Sequence, residues 1–317
     1  MNQTALVVIK SMGIGDLCIL IANIHAISKS IGRPVIVLAQ KNTHASTILK
    51  HDPLIREVID LDKKGFINVI KKIKPYKIRQ AYIFSDSIRL YLISKLSNIK
   101  ETFHYKFFSK RGKNFFKTAK EFTEKILNTE INTQSKIHCP KSFIEEAKKK
   151  YNITDNTKNY ICGISASGPT KRWDINNYIK LFEELNKKYP SKFFLAGGVN
   201  DENLIKQVLD SPIGNDCISF SKMKIAETIP IIASCQIYIG SDTGWGHMAS
   251  GLGLKSLFLF MDSPPLAYGV YSKNISIIVP QGETIESCEH NTRGKDKISY
   301  DEVLTKICFN NQIFCFS

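Results

Sequence analysis

The stretch SDTGWGHMASGLG, residues 241–253, decides the fold when it is taken with the run CQIYIG, residues 235–240, that precedes it. The earlier run is short, apolar and β-branched, which is typical of a buried strand. The later segment carries alanine and leucine and ends at Gly253, which predicts a helix. The Asp-Thr-Gly at 242–244 is therefore expected at the carboxyl end of a strand, where ligands bind in open α/β sheets.

The residues at this strand-to-helix junction suit an anionic ligand. At a helix N-terminus, the free N–H groups and the positive end of the helix dipole favour a group such as a phosphate. Gly244 and Gly246 let the backbone approach a ligand closely, Thr243 has a hydroxyl, and His247 projects from the first turn. A plainer alternative is that Asp242 is an N-cap and that the glycines serve a tight turn.

Outward from this junction, apolar runs alternate with helical patterns along the chain. In the first half, the pattern predicts helices at 17–32, 66–74 and about 116–128 and strands at 4–10, 34–39, 57–61 and 80–85. The second half repeats the design from YICGISA, residues 160–166, to ISIIVP, residues 275–280. This alternation indicates parallel sheets covered by helices. A helix at 141–153, followed by a polar linker, predicts two domains, residues 1–153 and 160–317.

Positive charge is concentrated in one half of the chain. Residues 1–150 hold 28 Lys and Arg against 12 Asp and Glu, whereas the rest hold 16 against 17. Such a basic half is expected to attract a polyanion, which could be a phosphorylated glycolipid, an anionic membrane surface or a nucleic acid. The alternative is a lysine-rich face that is simply solvated, although this explains the asymmetry less well.

Composition excludes several other classes of protein. The length of 317 residues and the 43% hydrophobic content suit two globular domains. No apolar run approaches the roughly 20 residues that span a bilayer, and the N-terminus lacks a basic leader, so a cytoplasmic location is expected. The eight cysteines form no Cys-x-x-Cys pair, which argues against a zinc site or a thioredoxin-like motif.

A second glycine-rich turn, KSMGIGD at 10–16, directly follows the first predicted strand. Gly13 and Gly15 allow a tight turn that a ligand can approach, and Asp16 comes at the start of the next helix. A dinucleotide fingerprint would need a third glycine where Cys18 stands, so nicotinamide binding is not favoured. Asp16 is either the N-cap of that helix or a general base for an acceptor hydroxyl.

A third motif, SASGPTKRWD at 165–174, follows the first strand of the second half. Thr170 and Lys171 lie in its loop. Lys171 would place a point charge on a phosphate or on a leaving diphosphate. The alternative is an exposed lysine beside an aromatic side chain, since lysines are common in this chain.

A fourth motif is LAGGVNDE at 195–202. Gly197 and Gly198 end a predicted strand and permit the close approach of a ligand. Glu202 could accept hydrogen bonds from sugar hydroxyls, or it could sit in the first helical turn as a partner of the helix dipole.

In their order and spacing along the chain, the four motifs at 10–16, 165–174, 195–202 and 241–253 resemble the heptosyltransferase family, glycosyltransferase family nine. The resemblance runs through nearly the whole chain and is strongest over 160–260. It implies an α/β fold of the GT-B type, with two Rossmann-like domains facing each other across a cleft. It also implies an inverting transfer of heptose from ADP-heptose to the lipopolysaccharide or lipooligosaccharide core, with no metal ion and no cofactor.

The resemblance assigns roles by position. Asp16 matches the family's catalytic base, and Glu202 matches its donor-side carboxylate. The family's phosphate-contacting pair and donor-binding loop correspond to Thr170, Lys171, Asp242, Thr243, Gly244 and His247. Trp245 stands where the family usually has proline, and Asn23 stands near the place of its common helix proline. These departures bear on the identity of donor and acceptor more than on the reaction.

The expected partners are a nucleotide-sugar donor, ADP-heptose in the first place, and a phosphorylated glycolipid acceptor. The basic first half would hold that acceptor at the anionic inner face of the cytoplasmic membrane, which predicts a cytoplasmic, peripheral protein. The alternatives on the same fold are transfer of another activated sugar to a cell-surface glycan and epimerisation of a nucleotide sugar. A nucleic-acid-binding protein is a remote alternative. No zinc finger, RNA-recognition signature or basic-helix pattern is present, so no nucleic acid is expected.

Overall fold

The computed structural model describes residues 4–10, 13–61, 65–107, 114–290 and 297–308. The chain divides into two compact units, residues 1–138 and 139–317, and each unit has its own parallel sheet. Within the described ranges, no helix is long and apolar enough to cross a membrane. The seven cysteines in those ranges are all free thiols.

The first unit holds a five-stranded sheet with the order β3-β2-β1-β4-β5, and every strand pair in it is parallel. Its strands are β1 (Thr4–Ile9), β2 (Val35–Ala39), β3 (Ile55–Asp60), β4 (Ile78–Phe84) and β5 (Glu101–His104). Its helices are α1 (Ile14–Ser30), α2 (Ala45–Ile48), α3 (Phe66–Ile73), α4 (Ile88–Leu96) and α5 (Phe115–Leu127). Because the strand order reverses between β1 and β4, the topological switch point of this sheet lies between these two strands.

The sequence of the central strands explains the layers of this unit. β1 and β2 are short apolar runs whose residues are almost all buried, as strands covered on both faces must be. Val69 from α3 and Leu90 and Ile93 from α4 join sheet side chains in one apolar cluster. The helix α1 packs beside α5. The parallel, helix-covered architecture predicted for this half is therefore confirmed.

The second unit holds a six-stranded parallel sheet with the order β11-β10-β9-β6-β7-β8. Its strands are β6 (Lys158–Gly163), β7 (Ser191–Leu195), β8 (Cys217–Ser219), β9 (Ile237–Ser241), β10 (Lys255–Leu259) and β11 (Ile275–Ile278). Its helices are α6 (Lys141–Lys150), α7 (Ile175–Lys188), α8 (Glu202–Leu209), α9 (Ile225–Ala233), α10 (Gly244–Gly251), α11 (Pro265–Tyr268) and α12 (Tyr300–Cys308). The strand order reverses between β6 and β9, so the switch point lies there.

The sequence pattern does not predict β5 or α4, and both omissions have a physical cause. The four residues of β5 are only partly buried and include no apolar run. The helix α4 carries apolar side chains on its exposed face as well as on its buried face, so it lacks the helical alternation that predicts a surface helix.

The helix α6 lies in the second unit, whereas the sequence places it in the first domain, 1–153. It packs against α9, and the Ser234 hydroxyl donates to the carbonyl oxygen of Ile144 at 3.3 Å. The chain that leaves α6 is also held there, because Lys192 Nζ donates to the carbonyl oxygen of Tyr151 at 2.8 Å. A linker composition marks where polar residues gather, but it does not show which sheet a neighbouring helix packs on.

Candidate functional site

The carboxyl ends of β6 and β9 are neighbours at the switch point of the second sheet. The loop after β6 contains Thr170 and Lys171, and the loop after β9 contains Asp242 and Thr243. Parallel neighbouring strands end at the same edge, so the fold brings two motifs that are about 70 residues apart in the sequence to one edge.

Glycines let α10 lie very close to this edge of the sheet. A Cβ atom at Gly246 would come within 2.6 Å of the Phe258 ring and 2.7 Å of the Tyr238 ring. A Cβ atom at Gly163 would come within 1.9 Å of the Tyr238 hydroxyl oxygen. Only hydrogen fits at these two positions, so Gly246 serves helix–sheet packing and the prediction that it opens the backbone to a ligand is wrong. Thr243 is the N-cap residue of α10, and its side chain makes no capping hydrogen bond.

Asp242 and His247 form a buried pair at the start of α10. His247 Nε2 lies 3.0 Å from Asp242 Oδ1, and the two side chains are 4% and 14% exposed. The Ser263 hydroxyl donates to Asp242 Oδ2 at 2.7 Å, and the Tyr271 hydroxyl oxygen lies 2.9 Å from His247 Nδ1. Nε2 of the His247 ring thus faces the carboxylate and Nδ1 faces the Tyr271 hydroxyl, so both ring nitrogens have a partner.

This network keeps Asp242 ionised. Burial is the largest single influence and by itself would raise the pKa of Asp242. The hydrogen bond and charge of His247, the hydrogen bond from Ser263 and the charge of Lys171 together outweigh burial. The pKa of Asp242 therefore lies below its usual value.

Thr170 and Lys171 approach the same network from the loop after β6. The Thr170 hydroxyl donates to Asp262 Oδ2 at 2.6 Å, which joins this loop to the one after β10. The charge of Lys171 acts on Asp242. Among the residues that the structure describes, no carboxylate lies within the 4.0 Å of an ion pair with Lys171. Its ammonium group therefore remains available to an anionic ligand.

The structure distinguishes two adjacent carboxylates after β7. Glu202 is the first residue of α8 and is exposed. Asp201 is mostly buried and accepts hydrogen bonds from the Gly198 N–H at 2.9 Å and from Arg172 Nη2 at 3.4 Å. Apart from its two chain neighbours, no atom of the described residues would lie within 4 Å of a Cβ atom at Gly198, so the turn is open to a ligand there. Asp201 comes three positions after Gly198, and its carboxylate accepts from the Gly198 N–H. An acidic residue at this spacing is a capping signal, and that signal could have indicated Asp201 from the sequence.

Asp16 lies at the switch point of the first unit, where the chain leaves β1. It is the third residue of α1, and Gly13 is the N-cap, so the interpretation of Asp16 as an N-cap is wrong. Chain neighbours aside, the nearest atom of the described residues to a Cβ atom at Gly13 would be Gly15 N at 4.0 Å, so this turn is also open on the side that those residues form. Residues 11 and 12 of the motif lie outside the described ranges.

Two features of the first unit lie apart from its switch point. His25 Nε2 lies 2.6 Å from Asp52 Oδ2 in a second buried pair, and Asp52 Oδ1 accepts from the Leu54 N–H at 3.0 Å. A cavity of about 640 Å³ lies between α1 and the segment 127–136, and His25 is on its wall. None of the site residues predicted from the sequence lines this cavity.

Solved structures share this fold across the length of the chain. A glycosyltransferase of family 9 from Veillonella parvula is 18% identical, with a TM-score of 0.78 over 96% of this chain and 97% of that one. The E. coli heptosyltransferase WaaC, solved with ADP, is 14% identical, with a TM-score of 0.69 over 96% and 99%. The predicted α/β fold of the GT-B glycosyltransferases is thus confirmed.

Among the GT-B glycosyltransferases, the sequence comparison identifies the family to which this chain belongs. The profile of glycosyltransferase family 9 (heptosyltransferase) matches residues 110–298, and the chain belongs to this family. The lipopolysaccharide heptosyltransferase 1 of Campylobacter coli is 22% identical over 273 residues, which cover 77% of this chain and 80% of that protein. The chain is therefore a glycosyltransferase, as its motifs predict, while the roles of the individual site residues stay predictions.

Proposed function

We propose that this chain transfers heptose from ADP-heptose to an acceptor sugar of the lipopolysaccharide or lipooligosaccharide core, with inversion and without a metal ion. Its membership of the heptosyltransferase family supports the reaction type. The relative named a lipopolysaccharide heptosyltransferase supports the acceptor class. The similar fold of a heptosyltransferase solved with ADP supports the nucleotide.

The observation that carries the proposal is the cluster at the switch point of the second unit. It combines the ammonium group of Lys171, which has no carboxylate partner among the described residues, with the N-terminus of α10. A diphosphate needs such fixed positive charge, which here takes the place of a cation. We place the leaving diphosphate against Lys171, the Thr243 hydroxyl and the backbone N–H groups that begin at Gly244. Asp242 then acts as a positioning residue, because its two oxygens are held by His247 and Ser263.

In the proposed reaction, Asp16 removes the proton from the acceptor hydroxyl. The acceptor oxygen then bonds to the anomeric carbon on the face opposite the diphosphate, and the bond from that carbon to the diphosphate oxygen breaks. The electron pair of the broken bond leaves with ADP, whose added charge Lys171 and the α10 N–H groups stabilise. Thr170 keeps the Lys171 loop in place through Asp262. Glu202, whose side chain is exposed, is proposed to contact the donor sugar or the ribose.

The acceptor in this proposal is a phosphorylated glycolipid at the cytoplasmic face of the inner membrane. The excess of basic residues in the first half of the chain supports an acceptor of this charge. The same excess supports a protein that works at an anionic membrane surface.

Replacement of Asp16 tests the proposed base. Asp16→Asn should lower kcat by about 100-fold or more, because an amide cannot take the acceptor proton. Its affinity for ADP, measured by calorimetry, should not change, since the proposed donor site lies in the other unit. Asp60→Asn is the matched control, because Asp60 ends β3, away from the switch point of the same unit. A near-normal kcat for Asp16→Asn would remove Asp16 from the chemistry.

A thermal-shift series of nucleotide sugars tests the donor. ADP-sugars should stabilise the protein more than UDP-, GDP- and CMP-sugars do, and transfer should persist in the presence of EDTA. An equal response to all four nucleotides would contradict the donor. Release of an epimerised nucleotide sugar without any acceptor would favour an epimerase instead.

A further inference from the structure

The helix α4 exposes a stripe of large apolar side chains. Ile88, Leu92 and Leu96 are 47%, 45% and 56% exposed. They are spaced by four residues, so they lie one above the other on one face of the helix. Leu90 and Ile93, on the opposite side, are buried in the apolar cluster of the unit. The stripe is therefore additional to the face that holds α4 on the sheet.

Basic residues border this stripe on both sides. At 100° per residue, the stripe from Ile88 to Leu96 spans about 80° of the helix, with Lys95 just beyond one edge and Arg89 just beyond the other. Both basic residues are exposed. The Nζ atom of Lys95 lies 5.4 Å from the centre of the Tyr91 ring, which holds its stem against the helix. An apolar stripe with a cation on each flank is typical of a helix that lies in a membrane interface, where long basic side chains reach up to the headgroups.

The neighbouring helix α3 also exposes an apolar side chain beside a basic one. It packs beside α4, and its Ile67 is 65% exposed, with the exposed Lys71 one turn further along. Residues 65–100 contain eight Lys and Arg and only one acidic residue, Asp86. The exposed apolar side chains thus belong to a segment with a net charge of +7.

We propose that this α3–α4 surface, formed by Ile67, Lys71, Ile88, Arg89, Leu92, Lys95 and Leu96, docks on an anionic lipid bilayer. The apolar side chains enter the boundary between headgroups and acyl chains, and the basic residues contact the anionic headgroups. Charge favours a bilayer over a second copy of the chain, because two such surfaces placed face to face would bring their cations together. This inference rests on the proposed function, which puts a glycolipid acceptor at the membrane.

Cosedimentation with lipid vesicles tests the docking surface. The intact chain should bind vesicles of equal parts phosphatidylglycerol and phosphatidylcholine and should bind pure phosphatidylcholine much more weakly. The double variant Leu92→Gln/Leu96→Gln should lower the partition coefficient about tenfold or more. The double variant Lys71→Gln/Lys95→Gln should lower it about fivefold for each charge removed, with a weaker dependence on salt.

The matched control removes exposed apolar side chains of similar exposure from the second unit. Leu209 and Val270 are 39% and 41% exposed, and Leu209→Gln/Val270→Gln should bind vesicles as the parent does. Circular dichroism should be the same for all variants, because every replaced side chain is exposed. Equal vesicle binding by this control and by Leu92→Gln/Leu96→Gln, the α4 variant, would overturn the docking surface.

Transfer to a soluble, delipidated core oligosaccharide separates this inference from the proposed function. The α4 variant should keep normal transfer to that acceptor, because its change lies outside the proposed chemistry. If neither the parent nor any variant transfers heptose, but Leu92→Gln/Leu96→Gln loses vesicle binding while Leu209→Gln/Val270→Gln keeps it, the proposed function fails and the docking surface stands. If ultracentrifugation shows a parent dimer that Leu92→Gln/Leu96→Gln dissociates, the surface is a contact between copies and the bilayer proposal is overturned.

Discussion

Each unit contains a buried histidine–aspartate pair, and the two pairs lie at opposite edges of their sheets. Asp52 comes just before β3, at the amino end of the strands, and pairs with His25 on α1. Asp242 comes just after β9, at the carboxyl end, and pairs with His247 on α10. A histidine and an aspartate at hydrogen-bond distance therefore occur twice. The Asp242–His247 pair lies at the carboxyl ends of the strands, where ligands bind in α/β sheets, and the Asp52–His25 pair lies at the amino ends.

The second carboxylate oxygen of each aspartate also has a different kind of partner in the two pairs. The second oxygen of Asp52 accepts from the backbone N–H of Leu54, so this pair ties α1 to the start of a strand. The second oxygen of Asp242 accepts from Ser263, a loop side chain after the neighbouring strand β10. The Asp52 side chain is 1% exposed, whereas that of Asp242 is 14% exposed. The position on the sheet, rather than the residue types, separates a structural clamp from a candidate ligand site.

Removal of Asp52 should give the largest effect, and the effect should be on stability alone. Asp52→Ala leaves His25 buried without its partner and the Leu54 N–H without its acceptor, which should lower the free energy of unfolding by about 3 kcal/mol. Denaturant titration measures this loss. Calorimetry should show that the affinity for ADP is unchanged at a temperature where the variant is folded. Weaker ADP binding with normal stability would reverse the roles assigned to the two pairs.

The second prediction concerns the charge of Asp242 and is tested by pH. The folded-state pKa of Asp242 lies below its ordinary value of 3.8, so its ionisation stabilises the fold at pH values above that value. This contribution is lost as the pH falls through the folded-state pKa. Asp242→Asn should therefore be less stable than the parent by about 2 kcal/mol near neutral pH. The difference should close as the solution becomes acidic, which thermal unfolding at a series of pH values can follow.

The same variant should also bind the donor less well. Asp242→Asn removes the charge that orients His247 and the start of α10, so we expect an affinity for ADP about tenfold weaker. Asp60→Asn is the control for the loss of one aspartate charge, because Asp60 lies in the other unit at the end of β3. If the stability difference persisted in acid, with ADP affinity intact, Asp242 would be as purely structural as Asp52.

The sequence predicts the strands and helices of both sheets better than it predicts which of them lie side by side. The strand before residue 242 and the helix after it are visible as periodicity, and β9 and α10 lie where that pattern puts them. Asp262, Ser263 and Tyr271 were missed, although they hold Thr170, Asp242 and His247 in place. Their position beside the site follows from the pairing of β10 with β9, and strand order is not encoded in any local pattern.

The choice between Asp201 and Glu202 shows the same limit on a smaller scale. Composition places an acidic residue after β7 and cannot distinguish two adjacent ones. The structure buries Asp201 against Arg172 and exposes Glu202. Burial depends on where the first turn of α8 begins relative to the sheet, which hydrophobic periodicity defines only to within a residue or two.

The smallest effect should come from Tyr271, the outer member of the network in the second unit. Tyr271→Phe removes the hydroxyl beside His247 Nδ1 but keeps the ring, which stacks on the His247 ring with centroids 5.6 Å apart. We expect a loss of about 1 kcal/mol of stability and an affinity for ADP about threefold weaker, because His247 keeps its bond to Asp242. Tyr82→Phe is the control in the first unit, where the hydroxyl donates to Gln80 at 3.3 Å, and it should leave ADP binding unchanged. If Tyr271→Phe weakened ADP binding more than Asp242→Asn does, Tyr271 would contact the ligand itself. The role of the Asp242–His247 pair would then be to position that tyrosine instead of the loop after β9.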